Sequence, residues 1–403
     1  MNFKEKISLE SIGNKKFRIR LIEHDNNKEA VLTHYLQNSK NGISDFYKKD
    51  ALDFAKEILE IKFPDEDITL KVAEEAIQYG MFDDFDIPFP SPKNPKFKFI
   101  DLFAGIGGFR LALQNLGGKC VYTSEWDKDA KKTYKANFGK TPFGDITKEE
   151  TKSYIPDNFD ILCAGFPCQA FSIAGKRGGF EDTRGTLFFD VAEIIKRKQP
   201  KAIFLENVKG LVTHDDGKTL EVILNTLKEL NYTVHTKIIN AKDFGVPQMR
   251  ERIFIVGFNN EKVSNPKEFS FPKPQNDEVF VNNFIEKNVI GYSISEHLQE
   301  KYLFKKNDGK PQIIDENSKI QVKTLVSTYH KIQRLTGTFV KGGETGLRLL
   351  SVNECKAIMG FPNEFVVPVS RTQAYRQFGN SVAVPAIQAT ANEIVKKLLK
   401  NAE

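Results

Sequence analysis

Lys98-Phe99-Ile100-Asp101-Leu102-Phe103-Ala104-Gly105-Ile106-Gly107-Gly108-Phe109 is the stretch on which the fold turns. Its first half is an apolar run of strand length, and the glycines break that run at once. Leu111, Ala112, Leu113 and Leu116 then continue a helix, which Gly117-Gly118 stops. Cys120-Val121-Tyr122-Thr123-Ser124 reads as a second strand ending at Glu125-Trp126, and a helix over 128–137 leads to Gly144-Asp145-Ile146. This β-α-β-α rhythm predicts a doubly wound α/β sheet. The three glycines by themselves say less, because glycine turns after first strands are common and this one differs from GxGxxG.

The residues at these strand ends suit an adenosine-bearing ligand. Tight glycines let such a ligand approach the backbone, and an acid ending the second strand meets ribose hydroxyls. Glu125 stands there. Trp126 offers a flat face to a purine, or else fills a core. Asp145 accepts from an exocyclic amine, or else only closes a turn.

The alternation continues beyond this point. Phe159-Asp160-Ile161-Leu162-Cys163-Ala164 reads as a buried parallel strand, broken by Gly165 and Pro167. Cys168 therefore falls just past a carboxyl end, where ligands bind in open α/β sheets. The glycine-rich segment 175–185 carries Lys176, Arg177 and Arg184 and reads as a basic lid over an anionic substrate. A helix over 186–198, a strand over 202–205, a helix over 218–230 and strands over 232–239 and 253–258 complete the pattern. Glu206 follows Ile203-Phe204-Leu205, where partial desolvation raises a carboxyl's pKa and favours its protonated form. A lone cysteine is more often a small buried residue than a nucleophile, and a lone acid at a strand end is as often a cap or half of an ion pair.

The bulk numbers frame these readings. At 403 residues the chain has length for two or three domains. Hydrophobic content of 40% and charged content of 28% are ordinary for a soluble protein. No apolar run has the length of a membrane span, and Met1-Asn2-Phe3-Lys4-Glu5 lacks a signal peptide's apolar core. A cytoplasmic protein without membrane association is expected. Cys120, Cys163, Cys168 and Cys355 form no paired CxxC spacing and no cluster with histidine, so no metal site is expected. Residues 1–98 hold 16 Lys and Arg against 18 Asp and Glu, net −2, while the whole chain is +6, which leaves a basic main body suited to a polyanion.

Outside the sheet the chain divides. Residues 1–97 read as a mainly helical appendage, with a short strand over 16–22, helices over 28–37, 44–61 and 69–78, and Ser44 as an N-cap. Pro88, Pro90, Pro92 and Pro95 make a stiff link into the domain 98–258. Residues 259–347 lose periodicity and read as a loop-rich, partly β module, strand-like over 322–329. Lys331, Gln333, Arg334, Thr336 and Thr338 supply donors there for base edges and phosphates. Residues 348–403 regain order, with helices over 352–359 and 385–399.

Taken in order, the DLFAGIGG run at 101–108, Gly165-Phe166-Pro167-Cys168-Gln169, Glu206-Asn207-Val208, Gln248-Met249-Arg250-Glu251-Arg252 and Gln377-Phe378-Gly379-Asn380-Ser381-Val382 resemble the motifs of the cytosine-C5 DNA methyltransferases. The resemblance covers residues 98–400 and is strongest to bacterial restriction-modification enzymes, with a Dcm-like layout of the N-terminal extension. It implies an S-adenosylmethionine-dependent methyltransferase sheet with a target-recognition module at 259–347. It implies S-adenosylmethionine as donor, S-adenosylhomocysteine as product, and a flipped cytosine in duplex DNA as acceptor. Phe103, Gly105, Gly107, Glu125, Trp126, Asp145, Ile146, Leu187, Asn380 and Ser381 would hold the donor. Cys168 would be the nucleophile, Glu206 would bind N3 and N4 of cytosine, and Arg252, with Arg250 beside it, O2. Ser172, Lys176, Arg177, Arg184, Thr324, Lys331, Gln333 and Arg334 would meet DNA. The stretch 327–346 is similar to modules that read GGNCC or GGWCC. A monomer, a separately acting cognate endonuclease and a place at the bacterial nucleoid are implied as well. Two rivals stand beside this reading: an RNA cytosine-C5 methyltransferase, and a DNA-binding regulator with a vestigial catalytic domain.

Overall fold

The computed structural model describes residues 7–13, 16–21, 27–38, 43–81, 87–167, 187–275 and 277–399. The first described elements are an antiparallel hairpin, β1 (Ile7–Gly13) and β2 (Lys16–Leu21), and three helices, α1 (Asn27–Asn38), α2 (Ile43–Lys62) and α3 (Leu70–Met81). The hairpin's first strand was not expected, since its alternation is short and ends on glycine. Ser44 lies inside the first turn of α2 and is therefore not its N-cap. Thr69 does cap α3, its hydroxyl accepting the Val72 N–H at 3.3 Å.

The sheet then begins at β3 (Phe97–Leu102). After it come α4 (Gly108–Asn115), β4 (Gly118–Ser124), α5 (Lys128–Phe138), the short α6 (Glu149–Ser153) and β5 (Ile161–Ala164). Next are α7 (Leu187–Lys198), β6 (Ala202–Val208), α8 (Lys218–Glu229), β7 (Tyr232–Asn240), the two-residue β8 (Gln248–Met249) and β9 (Glu251–Asn259). Six of these strands form one sheet in the order β4-β3-β5-β6-β9-β7. Pairing is parallel from β4 to β6, and β9 runs antiparallel to both of its neighbours. The expected doubly wound sheet is thus present, with β3 inside it. Gly144-Asp145-Ile146 adds no further strand; only Phe143 bridges to Ser124.

Alternation along the strands sends neighbouring side chains to opposite faces. Phe99, Cys163 and Phe204 join one core with α4 and α12 (Val384–Leu399). Ile100, Leu162 and Ile203 join the other with α7 and α8. The N-terminal helices belong to that second core: Tyr47, Ala51, Phe54 and Ala55 of α2 are buried within it. The Tyr47 hydroxyl lies 3.2 Å from the Val121 carbonyl and 3.0 Å from that of Tyr154. Helices α1, α2 and α3 therefore cover one face of the sheet.

The loop-rich segment after β9 contains the one-turn α9 (Glu296–Leu298) and the strands β10 (Gln312–Ile314), β11 (Val322–Lys323), β12 (Thr338–Lys341) and β13 (Leu347–Arg348). β10, β12 and β13 make a small sheet. The strand expected over 322–329 shrinks to the two residues of β11, because its partner is β8, which is equally short. The chain closes with α10 (Val352–Ile358), α11 (Arg371–Asn380) and α12. At the joint, a Cβ on Gly379 would stand 2.1 Å from the Ser327 nitrogen and 2.2 Å from the Val326 carbonyl carbon. Backbone cannot yield as a side chain does, so Gly379→Ala is expected to destabilise the protein by about 1–3 kcal/mol, read as a lower melting temperature.

Candidate active site

The turn after β3 is built by positive backbone angles. Phe103 has φ 54°, Gly105 55° and Gly107 90°. Such angles are strained for a side chain as large as phenylalanine's, and the chain must hold them. The Ala104 N–H donates to the Ser124 carbonyl at 3.0 Å, and Gly107 N–H to that of Ala104 at 2.8 Å. A Cβ on Gly107 would meet the Phe138 ring at 2.3 Å, whereas one on Gly105 would meet nothing within 4 Å. The turn is packed behind Gly107 and open at Gly105.

Glu125 closes the opposite side. Its carboxylate is buried and accepts N–H donors from Gly105 at 2.7 Å, Trp126 at 2.9 Å and Asp127 at 2.8 Å. Burial raises the carboxyl's pKa, while these three donors favour its ionised form. The last two share Oε1, so Oε2 keeps acceptor capacity. Trp126 is 78% exposed, which excludes the core-aromatic alternative. Asp145 is half-buried and its Oδ1 accepts the Thr147 N–H at 3.0 Å, while Ile146 is buried. Leu187 is half-buried at the start of α7. Asn380, exposed, ends α11. Ser381 is buried, its Oγ 3.2 Å from where a Gly108 Cβ would stand, so the last motif meets the first turn. An open glycine edge, an acid with spare acceptor capacity and an exposed indole together fit an adenosine-bearing donor.

One group here was quoted in the first motif without a role. Asp101 is completely buried in β3, and among the described residues its carboxylate has no well-formed hydrogen bond, the Arg110 main chain being the nearest to supplying one. Burial pushes its pKa up to about 8, with Arg110 opposing and Glu125 adding. In the unfolded chain it would titrate near 3.9. The folded protein therefore keeps a proton that the unfolded chain releases, and stability falls as pH rises from about 4 to about 8. The slope is up to about 1.4 kcal/mol per pH unit. Asp101→Asn is expected to remove that slope in urea titrations at pH 5 and pH 8, gaining on wild type at the higher pH.

A second cluster sits along β6. Because β9 pairs with β6 as far as Val208↔Arg252, Glu206 lies within the strand and not beyond its end. Its buried carboxylate meets Arg252, Oε1 to Nε at 3.1 Å. Its Oε2 would lie 3.6 Å from a Cβ on Gly165, so the acid stands beside the turn that leads out of β5. Asn207 fastens that turn, Nδ2 donating to the Phe166 carbonyl at 2.9 Å. Burial raises the Glu206 pKa against the opposing charges of Arg252 and Arg250. Cys168, Ser172, Lys176, Arg177 and Arg184, with the expected lid at 175–185, lie outside the described residues.

Arg250 is placed differently from Arg252. Fully enclosed, it donates to the carbonyls of Leu325 at 3.0 Å, Gly379 at 3.1 Å and Ser381 at 2.5 Å. It joins the segment after β11 to the end of α11 and does not present its guanidinium as Arg252 does. Among the expected DNA-facing residues, Lys331 is exposed and Gln333 half-buried. Thr324 is half-buried and its hydroxyl donates to the Met249 carbonyl at 2.6 Å. Arg334 corrects the expectation of an outward donor. It is 5% exposed, pairs with Asp308 and donates to the carbonyls of Leu303 at 2.8 Å and Lys306 at 2.9 Å. The acid at 308 draws it into the module. Among the described residues no cluster could hold a metal ion, and no helix is long and apolar enough to cross a membrane.

A glycine turn and a buried acid at the ends of β3 and β4, with the Glu206–Arg252 pair on β6 and β9, share one open α/β sheet. Comparison with known proteins narrows the class. The profile of the C-5 cytosine-specific DNA methylase family matches residues 97–396. The type II methyltransferase M.MspI of Moraxella sp is 59% identical over 299 residues, 74% of this chain and 70% of that protein. M.HpaII of Haemophilus parainfluenzae is 52% identical over 349 residues, 81% of this chain and 96% of that one. The fold matches the Entamoeba histolytica methyltransferase EhMeth with TM-score 0.59 at 22% identity, over 76% of this chain and 99% of that one. The chain belongs to the C-5 cytosine-specific DNA methylase family and is a DNA (cytosine-5-)-methyltransferase.

Proposed function

We propose that this enzyme methylates C5 of a cytosine flipped out of a short duplex site, through a covalent Cys168–C6 adduct, as the modification half of a restriction-modification system. The observation that carries this is the buried Glu206–Arg252 pair beside the turn leading to Cys168. Cytosine C5 is a poor nucleophile, and thiolate attack at C6 makes it carbanion-like, dividing one hard step into two. Protonated Glu206 donates to N3, and Arg252 answers the charge that develops at O2. Ring atoms inside a duplex are out of reach, so the base must leave the stack, at a few kcal/mol. In this reading the segment 175–185, outside the described residues, would close on phosphates, offset part of that cost and exclude water.

Phe103, Gly105, Gly107, Glu125, Trp126, Asp145, Ile146, Leu187, Asn380 and Ser381 would hold S-adenosylmethionine. Glu125 would accept from the ribose and Trp126 would lie against the purine. When bound, that group supplies an electrophilic methyl on a sulfonium. A base, water or a side chain, then removes the C5 proton and Cys168 is expelled. Arg250 is a positioning residue that fixes the recognition module at 259–347 to the catalytic body formed by 98–258 and 348–403. Lys331, Gln333 and Thr324, with Ser172, Lys176, Arg177 and Arg184, would meet the DNA. The relatives' designation as type II methyltransferases supports a place in a restriction-modification system; the reading adds a monomer working at the bacterial nucleoid, with a cognate endonuclease acting separately.

Labelled S-adenosylmethionine offered with duplex DNA and, separately, with transfer RNA tests the reading. Label in DNA, confined by bisulfite mapping to one short motif, is expected. Label in transfer RNA alone would move the chain to RNA chemistry. Label in neither would favour a DNA-binding regulator.

A further inference from the structure

Helix α1 holds the loop that links α5 to α6 from outside the sheet. The Asn27 Oδ1 accepts the Gly144 N–H at 3.0 Å, and its Nδ2 donates to Thr151 Oγ1 at 3.3 Å. The Thr33 hydroxyl oxygen accepts the Thr141 N–H at 3.1 Å. Glu29 accepts from the Thr141 hydroxyl at 2.8 Å and pairs with Lys135 at 3.2 Å. Gln37 donates to the Phe138 carbonyl at 2.6 Å. Residues 29, 33 and 37 recur every four positions, so one face of the helix makes these contacts.

Between those attachments, Phe143 is clamped to β4. Its N–H donates to the Thr123 carbonyl at 2.8 Å, and its own carbonyl accepts the Glu125 N–H at 2.9 Å. The ring of His34 lies 4.6 Å from that of Phe143. Gly144 stands between Phe143 and the pair Asp145-Ile146, and a Cβ on it would already meet Asn27 Oδ1 at 3.4 Å. A continuous path thus runs from α1 through one stretch of main chain to Glu125 on one side and to Asp145 and Ile146 on the other.

We infer that Asn27 and Thr33 are positioning residues for cofactor binding, so that α1, outside the methylase profile, completes the cofactor site by fixing the 141–146 main chain. The inference rests on the assignment of Glu125, Asp145 and Ile146 to the donor. If the Asn27 acceptor is removed, the half-buried Gly144 N–H loses its partner and the loop relaxes to find another. Thr33→Val keeps the shape of the side chain and removes the oxygen that Thr141 needs; Thr33→Ser puts that oxygen back.

Full-length protein is titrated with S-adenosylhomocysteine by calorimetry, and turnover is measured on saturating duplex DNA. Asn27→Ala and Thr33→Val are each expected to weaken binding roughly five- to tenfold. The KM for S-adenosylmethionine should rise in step while kcat stays within about twofold, and Thr33→Ser should bind as wild type does. Variants that bind like wild type and only melt earlier would overturn the inference. So would a fall in kcat with KM unmoved, or a failure of Thr33→Ser to restore binding. Wild type that does not bind S-adenosylhomocysteine would instead remove the assignment of the cofactor site itself, and the inference with it.

Discussion

Cys168→Ala is expected to abolish methyl transfer to duplex DNA, by about 10⁴-fold or more, while S-adenosylhomocysteine still binds. The two readouts separate for a physical reason. In the proposed mechanism the thiolate acts on the base, whereas the groups expected to hold the donor stand elsewhere, around Gly105 in the turn after β3 and Glu125 just past β4. The described part of the turn is already anchored, with Phe166 buried and its carbonyl bound by Asn207. Losing a sulfur two residues later should leave that anchor in place. Of the four cysteines, Cys120, Cys163 and Cys355 are buried, and burial raises the pKa of each thiol. None of them can supply a thiolate readily near neutral pH. Bisulfite-mapped methylation that survives in Cys168→Ala would therefore take a covalent thiol adduct out of the mechanism.

Glu206→Gln should have the next largest effect, lowering kcat by about 10²–10⁴-fold. The amide keeps roughly the same volume beside Arg252 but has no acidic proton to share with N3. The pH profile gives the sharper signature. The Glu206 pKa is raised by burial, so the protonated form proposed to donate to N3 persists above the ordinary carboxylate range. In wild type, kcat/KM for DNA falls as pH rises through that raised value, because the active form is the protonated one. In Glu206→Gln this alkaline limb should be missing from the residual activity. A limb of the same position in both proteins would assign it to another group.

The parts of this fold with regular periodicity were legible in the chain. Phe97–Leu102, Gly118–Ser124 and Ile161–Ala164 are strand-length stretches rich in β-formers and buried almost throughout, and glycine or proline marks most of their ends. What local pattern cannot carry is the choice of partner. Glu206 was placed beyond a strand end because Ile203-Phe204-Leu205 is followed by polar residues. The antiparallel β9, some fifty positions later in sequence, extends that strand to Val208. Residues 322–329 carry β-formers, yet only Val322 and Lys323 find a strand to pair with. The motifs supplied identities at the site but not orientations. Arg250 and Arg252 differ by two positions, and one ties loops together while the other faces Glu206. Arg334 resembles a DNA-facing arginine until Asp308, 26 positions away, is seen beside it. No catalytic signature marks Asn27 or Thr33, since their role comes from what the helix lies against.

The seam at β8 and β11 is made almost wholly of main-chain groups on the module's side. The Val322 N–H donates to the Pro247 carbonyl at 2.7 Å, the Leu325 N–H donates to Gln248 Oε1 at 2.9 Å, and Arg250 takes the Leu325 carbonyl. Every residue offers an amide, and all but proline an N–H. Apart from the Thr324 hydroxyl on the Met249 carbonyl, a joint of this kind takes little account of the side chains on the 259–347 side, so the proposed recognition surface could be rewritten without renegotiating its attachment. Natural exchange of such modules between related enzymes, or a laboratory graft, would therefore be limited less by what the incoming segment is made of than by whether its backbone follows the same path past Gln248 and Arg250.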